Sequence, residues 1–120
     1  KRYIREGFAN EAELAVYDIL MKGKKITAKN LPIVKDVAKK LLQDIKSKIA
    51  ELNCWRDKKE TRADINLSIR DILWVNLPVD DYNDEDVATC NIGVYKYFYE
   101  HNDYIFMPPP TPASTNSAYA

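Results

Sequence analysis

Lys58, Lys59, Arg62, Asn66 and Arg70, side chains that can hold an anion, lie between Trp55 and Ile72. At ~100° per residue, Lys59, Arg62, Asn66 and Arg70 fall in one narrow helical sector, beside a second sector of Ile65, Ile69 and Ile72. Cations at such an edge can lay their stems on apolar surface and keep their heads in water. Arginine suits planar, bidentate capture of phosphate or carboxylate better than lysine does. Two chemistries therefore fit the row. The cations hold the chain's own carboxylates, or they hold the phosphates of a nucleic-acid backbone. For Arg62, nearest the isoleucines, an internal ion pair is the first expectation and a phosphate the second. Lys58, Lys59 and Arg70 stay open between the two. Trp55 is expected to anchor the core rather than to stack on a base.

Other chemistry is scarce. No G-x-x-x-x-G-K-[ST] loop occurs, so that cradle for nucleotide phosphates is excluded. The single His101 offers no Ser-His-acid arrangement, and Cys54 and Cys90 lie at no zinc-like spacing. The pair is expected as free thiols of a reducing cytosol. Asp44-Ile45-Lys46 has the acid-x-Lys form of some metal-dependent nucleases, but that element normally sits on a strand beside another carboxylate, and this one falls in mid-helix. Asp80, Asp81, Asp84, Glu85 and Asp86 lack the Gly and the spaced Glu of a calcium loop. No catalytic residue and no metal site is expected.

The 120 residues suffice for one domain with a core, and 46% apolar with 30% charged residues is an ordinary globular balance. Only three Gly occur, among abundant Lys, Leu, Ala, Glu and Ile, which favours helix over turn-rich β structure. No apolar run reaches the roughly 18 residues a membrane span needs. The chain opens at Lys1 without a secretory pattern and is read as a domain of something longer. Net charge is zero, but residues 1–59 hold 15 Lys plus Arg against 8 Asp plus Glu, and residues 60–120 hold 3 against 10. That asymmetry implies a polyanion-facing half, or two halves that pack and neutralise each other.

The elements that must position these residues are legible from periodicity and punctuation. "KRYIREGF" reads as the tail of a helix. Asn10 and Glu13 form a capping-box start for a first helix bearing Leu14, Tyr17, Leu20 and Met21, which Gly23 ends. Pro32 opens a second helix whose stripe is Val34, Val37, Ala38, Leu41, Leu42, Ile45, Ile49 and Leu52. Its Lys35, Lys39 and Lys46 lie off that stripe, as a solubilising face or as further phosphate contacts. A third helix is expected from about Asp57 to Val75, stopped by Pro78. After the acidic "VDDYNDED" linker, Asn83 or Asp84 caps a fourth, with Val87, Cys90, Val94, Tyr97, Phe98 and His101 on one face. Gly93 inside it suggests close approach of a neighbouring backbone. From Asp103 the Pro-rich "DYIFMPPPTPASTNSAYA" reads as an extended tail pinned by Tyr104, Ile105 and Phe106, or as a linker. The expected fold is all-α, a compact bundle-like domain of four main helices over residues 1–102, with the tail over 103–120.

Trp55, Lys58, Lys59, Arg62, Ala63, Ile69, Leu77-Pro78, Tyr82 and the Tyr-rich closing helix resemble the carboxy-terminal region of the restriction (motor) subunit of type I restriction–modification enzymes. "NEAELAVYDILMKG" and "VKDVAKKLLQDIKSKI" are similar to the segment that precedes it there. The resemblance covers roughly residues 8 to 102 and leaves the tail unexplained; "LWVN" before Leu77 is more apolar than the family pattern. It implies a cytoplasmic, non-catalytic piece of an ATP-driven DNA translocase and endonuclease, with ATP and Mg held by other domains. Its partners would be the backbone of double-stranded DNA, the specificity and modification subunits, and the rest of the motor, with no membrane. DNA contacts are then expected at Lys58, Lys59, Arg62, Asn66 and Arg70, with Lys35, Lys39 and Lys46, and protein docking at Asp84, Glu85, Tyr95 and Tyr99. The alternative is a docking module without DNA contact.

Overall fold

The computed structural model describes residues 1–103, and among them the chain forms helices and no strand. A short α1 (Arg2–Arg5) precedes four long helices: α2 (Glu11–Met21), α3 (Leu31–Glu51), α4 (Lys59–Asn76) and α5 (Asp84–Glu100). The 3-10 turns Ala28–Asn30 and Trp55–Asp57 lead into α3 and α4. The all-α expectation of four main helices holds. The tail and its suggested anchors Tyr104, Ile105 and Phe106 lie outside the described residues.

The ends of the helices follow from local chemistry. The Asn10 side chain accepts from the Glu13 N–H at 2.9 Å, while the Glu13 carboxylate reaches one residue further back, to the Ala9 N–H at 2.8 Å. Gly23 takes φ +69 just beyond α2, a conformation that costs glycine little. Asn83 and Asp86 form a reciprocal capping box on α5, at 2.8 and 3.0 Å. Leu77 is extended ahead of Pro78, as the proline ring requires. The expected start of α4 at Asp57 shifts to Lys59, because Trp55–Asp57 closes a 3-10 turn and Lys58 is extended.

The helices close a ring: α2 packs on α3, α3 on α4, α4 on α5 and α5 back on α2. The stripes meet inside it, with Leu20, Leu41, Ile45, Trp55, Ile65, Ile69, Leu73 and Phe98 almost wholly buried. Gly93 marks the α2–α5 crossing, where a Cβ would lie 2.9 Å from Ile19 Cγ2. Tyr82 ties the α4–α5 connection to α2 by donating its buried hydroxyl to the Leu20 carbonyl at 2.6 Å. Burial pushes the Cys90 thiol up to about 11, so it stays protonated near neutrality and packs as an apolar group; Cys54 is exposed and both are free. His101, expected on the buried face of α5, is exposed, because the helix ends at Glu100 and the ring instead stacks on Tyr97 at 4.7 Å.

Candidate nucleic-acid and protein interfaces

The joint between α3 and α4 is built around Trp55. Cys54 adopts the left-handed conformation, φ 54, which turns the chain sharply enough to drive the indole inward to 2% exposure. The buried indole N–H donates to Asn102 Oδ1 at 2.9 Å, and the ring meets Tyr95 and Tyr99 edge-on, each at 5.9 Å between centroids. Arg56 adds two bonds to the far end of α5, to the Tyr99 carbonyl at 3.0 Å and to Asp103 at 3.3 Å. The indole acts as the core anchor that the sequence suggests.

Arg62 departs from expectation. Its guanidinium donates to the Arg56 main-chain carbonyl at 2.8 Å rather than to a carboxylate. The turn before α4 leaves that carbonyl outside any helical ladder, and Arg62, one turn into the helix, is placed to satisfy it. Asn66 is also engaged within the fold: its Oδ1 accepts from Asn91 Nδ2 at 2.8 Å across the α4–α5 seam. Asn91 is buried and its own Oδ1 has no partner. One polar pair in an otherwise apolar seam disfavours sliding, since a shift of one turn would strand both amides. Arg62, Asn66, Asn91, Tyr95, Lys96 and Tyr99 share the walls of one groove of about 540 Å³ between α4 and α5. Residues assigned separately to DNA and to protein thus meet on a single face.

The lysines of α3 divide. Lys35 and Lys39 were expected toward solvent but are half-buried, because α1 and the Gly7–Phe8 turn fold across them. Lys35 Nζ lies 3.0 Å from both the Glu6 carbonyl and the Glu6 carboxylate, near the Tyr17 ring; Lys39 sits 5.7 Å from the Phe8 ring centroid. Lys46 is exposed at the rim of a second cavity of about 450 Å³ beside Trp55 and Cys54. Lys58, Lys59 and Arg70 are exposed and form no ion pair among the described residues.

The acids divide as well. Asp80, Asp81 and Asp86 knit the basic half to the acidic half. Asp80 meets Lys29 at 3.4 Å; Asp81 accepts from Thr27 and, at 2.8 Å, from Asn30; Asp86 pairs with Lys24 at 2.7 Å. Hydrogen bonds hold all three carboxyls below their ordinary range, chiefly its own backbone for Asp80, Asn30 for Asp81 and Lys24 for Asp86. Asp84 and Glu85 stay exposed, with no ion pair among the described residues, in the first turn of α5, where the helix dipole favours them.

Reasoning from sequence did not single out Asn30, Arg56 and Asn91, which work through contacts far along the chain. It also missed the outer face of α4, where Trp74 is 53% and Val75 78% exposed, followed by Val79 at 86%. The signal was present: Leu67 and Trp74, seven apart, fall opposite the Ile65–Ile69–Leu73 stripe. Among the described residues no cluster of His, Cys, Asp and Glu is arranged to hold a metal, and no helix is long and apolar enough to cross a membrane. Compared with protein-family models, characterised proteins and solved structures, the chain matches none.

Proposed function

We propose that this chain is a non-catalytic helical domain of a type I restriction enzyme motor subunit, helping to assemble the motor on the methyltransferase core and contacting the backbone of duplex DNA. The parent's ATP-dependent translocation and cleavage would reside in other domains of a cytoplasmic complex, along with ATP and Mg. The observation that supports the DNA half is the set of Lys58, Lys59 and Arg70, exposed on or beside α4 and without an ion pair among the described residues. Arg2, Lys24, Lys29, Lys35, Lys40, Lys48 and Arg56 form ion pairs, and of the remaining cations of the chain none but Arg62, which is bonded to a main-chain carbonyl, shares α4 with Lys59 and Arg70. Unmatched cations on a rigid helix can grip phosphates without reading bases, which suits a motor that must move along any sequence.

With Lys46, Lys58, Lys59 and Arg70 each neutralising one phosphate, log affinity for duplex DNA falls against log salt with a slope of about −3.6. Replacing Lys58, Lys59 and Arg70 together by Ala should leave a slope of about −0.9 and a folded domain. An unchanged slope removes the DNA half. Deleting residues 8–102 from the parent, with complex formation and DNA retention assayed separately, then shows whether assembly alone remains.

The alternative, protein docking without DNA contact, is favoured by the exposed apolar side chains of α4.

A further inference from the structure

The two ends of α4 differ in kind. Its first turns carry Lys59 and Arg62, whereas residues 66–85, which include its last turns and the start of α5, contain one cation, Arg70, against five acids. Two of those acids, Asp80 and Asp81, are committed to Lys29, Asn30 and Thr27. Asp71, Asp84 and Glu85 are exposed and form no ion pair among the described residues. At the same end stand Trp74, Val75 and Val79, all more than half exposed. Buried Leu77 and Tyr82 fasten the connection between them to the core, so the surface is held rigid.

We infer that this end of the bundle is a protein-docking surface for a basic amphipathic segment of a partner, one that brings apolar side chains onto Trp74, Val75 and Val79 and Lys or Arg onto Asp71, Asp84 and Glu85. Exposed Trp beside aliphatic residues, rimmed by charge, has the composition of an interface centre. The charge selects the occupant. Asp71, Asp84 and Glu85, left without an ion pair among the described residues, disfavour phosphates of DNA or of an anionic membrane as the occupant. A cationic helix is attracted by the same groups. Trp74 lies fifteen residues from Lys59, roughly 22 Å along the helix, so a protein here leaves Lys58 and Lys59 open to DNA, while Arg70, one turn before Trp74, falls at the docking end. The inference rests on the assembly half of the proposed function.

The chain has two tryptophans, Trp55 buried at 2% and Trp74 at 53%, so acrylamide quenching reports Trp74 selectively. The probes are two amphipathic peptides of about 18 residues, long enough for a helix, sharing a Leu face and bearing Lys or Glu opposite. The Lys-faced peptide should shield Trp74 and bind at least about tenfold more tightly than the Glu-faced one. Asp84→Lys with Glu85→Lys should invert that preference. Should that pair disturb the start of α5, Val79→Asn, outside any helix, should instead weaken binding of both peptides while circular dichroism stays unchanged. Equal affinity for the two peptides, or no shielding by either, overturns the inference. So does shielding that rises with chain concentration alone, which would make a second copy the occupant. None of these outcomes alters the salt slope for DNA, so the two readings fail separately.

Discussion

At the scale of single residues, the cationic row is not one set of groups with one task. Lys59 and Arg70 project from the fold, while Arg62 and Asn66 are spent inside it, the first on a main-chain carbonyl and the second on Asn91. Helical spacing put all four in one sector and placed Arg62 nearest the apolar side. It did not reveal the partner, since the Arg56 carbonyl is free only because Trp55–Asp57 closes as a 3-10 turn. Arg56 in turn reaches the end of α5, so Arg62 supports a chain of contacts leading to Tyr99 and Asp103. Arg62→Ala should therefore destabilise the domain by about 1 kcal/mol, the net worth of a hydrogen bond to a partly exposed charged group. Arg62→Lys, which keeps the charge but loses the planar fork, should recover only part of that. Thermal midpoints of the two variants check this, and an unchanged midpoint for Arg62→Ala would remove the supporting role.

At the scale of elements, the helices were legible because their signals are local. Asn10, Gly23, Pro32, Pro78 and Asn83 each act within a turn of their own position, and each bounds the helix it was expected to bound. Faces were legible where one stripe dominates, as along α3, where Leu52 alone of the expected stripe is only half-buried. They were less so near ends, where His101 escapes burial, and where a neighbour covers a polar face, as α1 covers Lys35. Gly93 could be suspected of a close approach, but its neighbour could not be named. The neighbour is Ile19, and the Cβ missing from Gly93 would sit 2.9 Å from its Cγ2. Alanine would improve helix propensity by roughly 1 kcal/mol. Against that, Ile19 is branched at Cβ and its Cγ2 cannot swing aside without leaving its rotamer. Overpacking costs about 1–3 kcal/mol, so Gly93→Ala should be net destabilising. Adding Ile19→Leu, which removes the offending methyl, should restore midpoint denaturant concentration toward the parent value. A Gly93→Ala chain that is more stable on its own would show that α2 and α5 separate freely.

At the scale of the whole molecule, the opposed charges of the two halves serve the fold before they serve any partner. Lys24, Lys29, Lys48 and Arg56 from the basic half meet Asp86, Asp80, Asp64 and Asp103 from the acidic half. Of the two meanings that the asymmetry could carry, mutual neutralisation accounts for those residues, and it leaves Lys58, Lys59 and Arg70 as the unmatched cations on or beside α4. The acidic connection is thus mainly a clasp. Asp81 accepts from the Thr27 N–H, the Thr27 hydroxyl and the buried Asn30 side chain, joining the turn before α3 to the turn before α5. Its carboxyl, like those of Asp80 and Asp86, is held below its ordinary 3.8. A lowered folded-state value means the ionised form is the one that stabilises. Its contribution is complete above the unfolded value and fades as pH falls through the folded one. Thermal midpoints measured from about pH 6 to pH 2 should accordingly decline on the acid side, with most of the loss below about pH 4. Asp81→Asn should lower the midpoint at neutral pH and flatten the decline, so that the two curves converge in acid, where the native carboxyl is itself protonated. Parallel curves, separated by the same interval at every pH, would show that Asp81 stabilises by shape rather than charge, and the clasp would then have to be carried by Asp86 and Lys24.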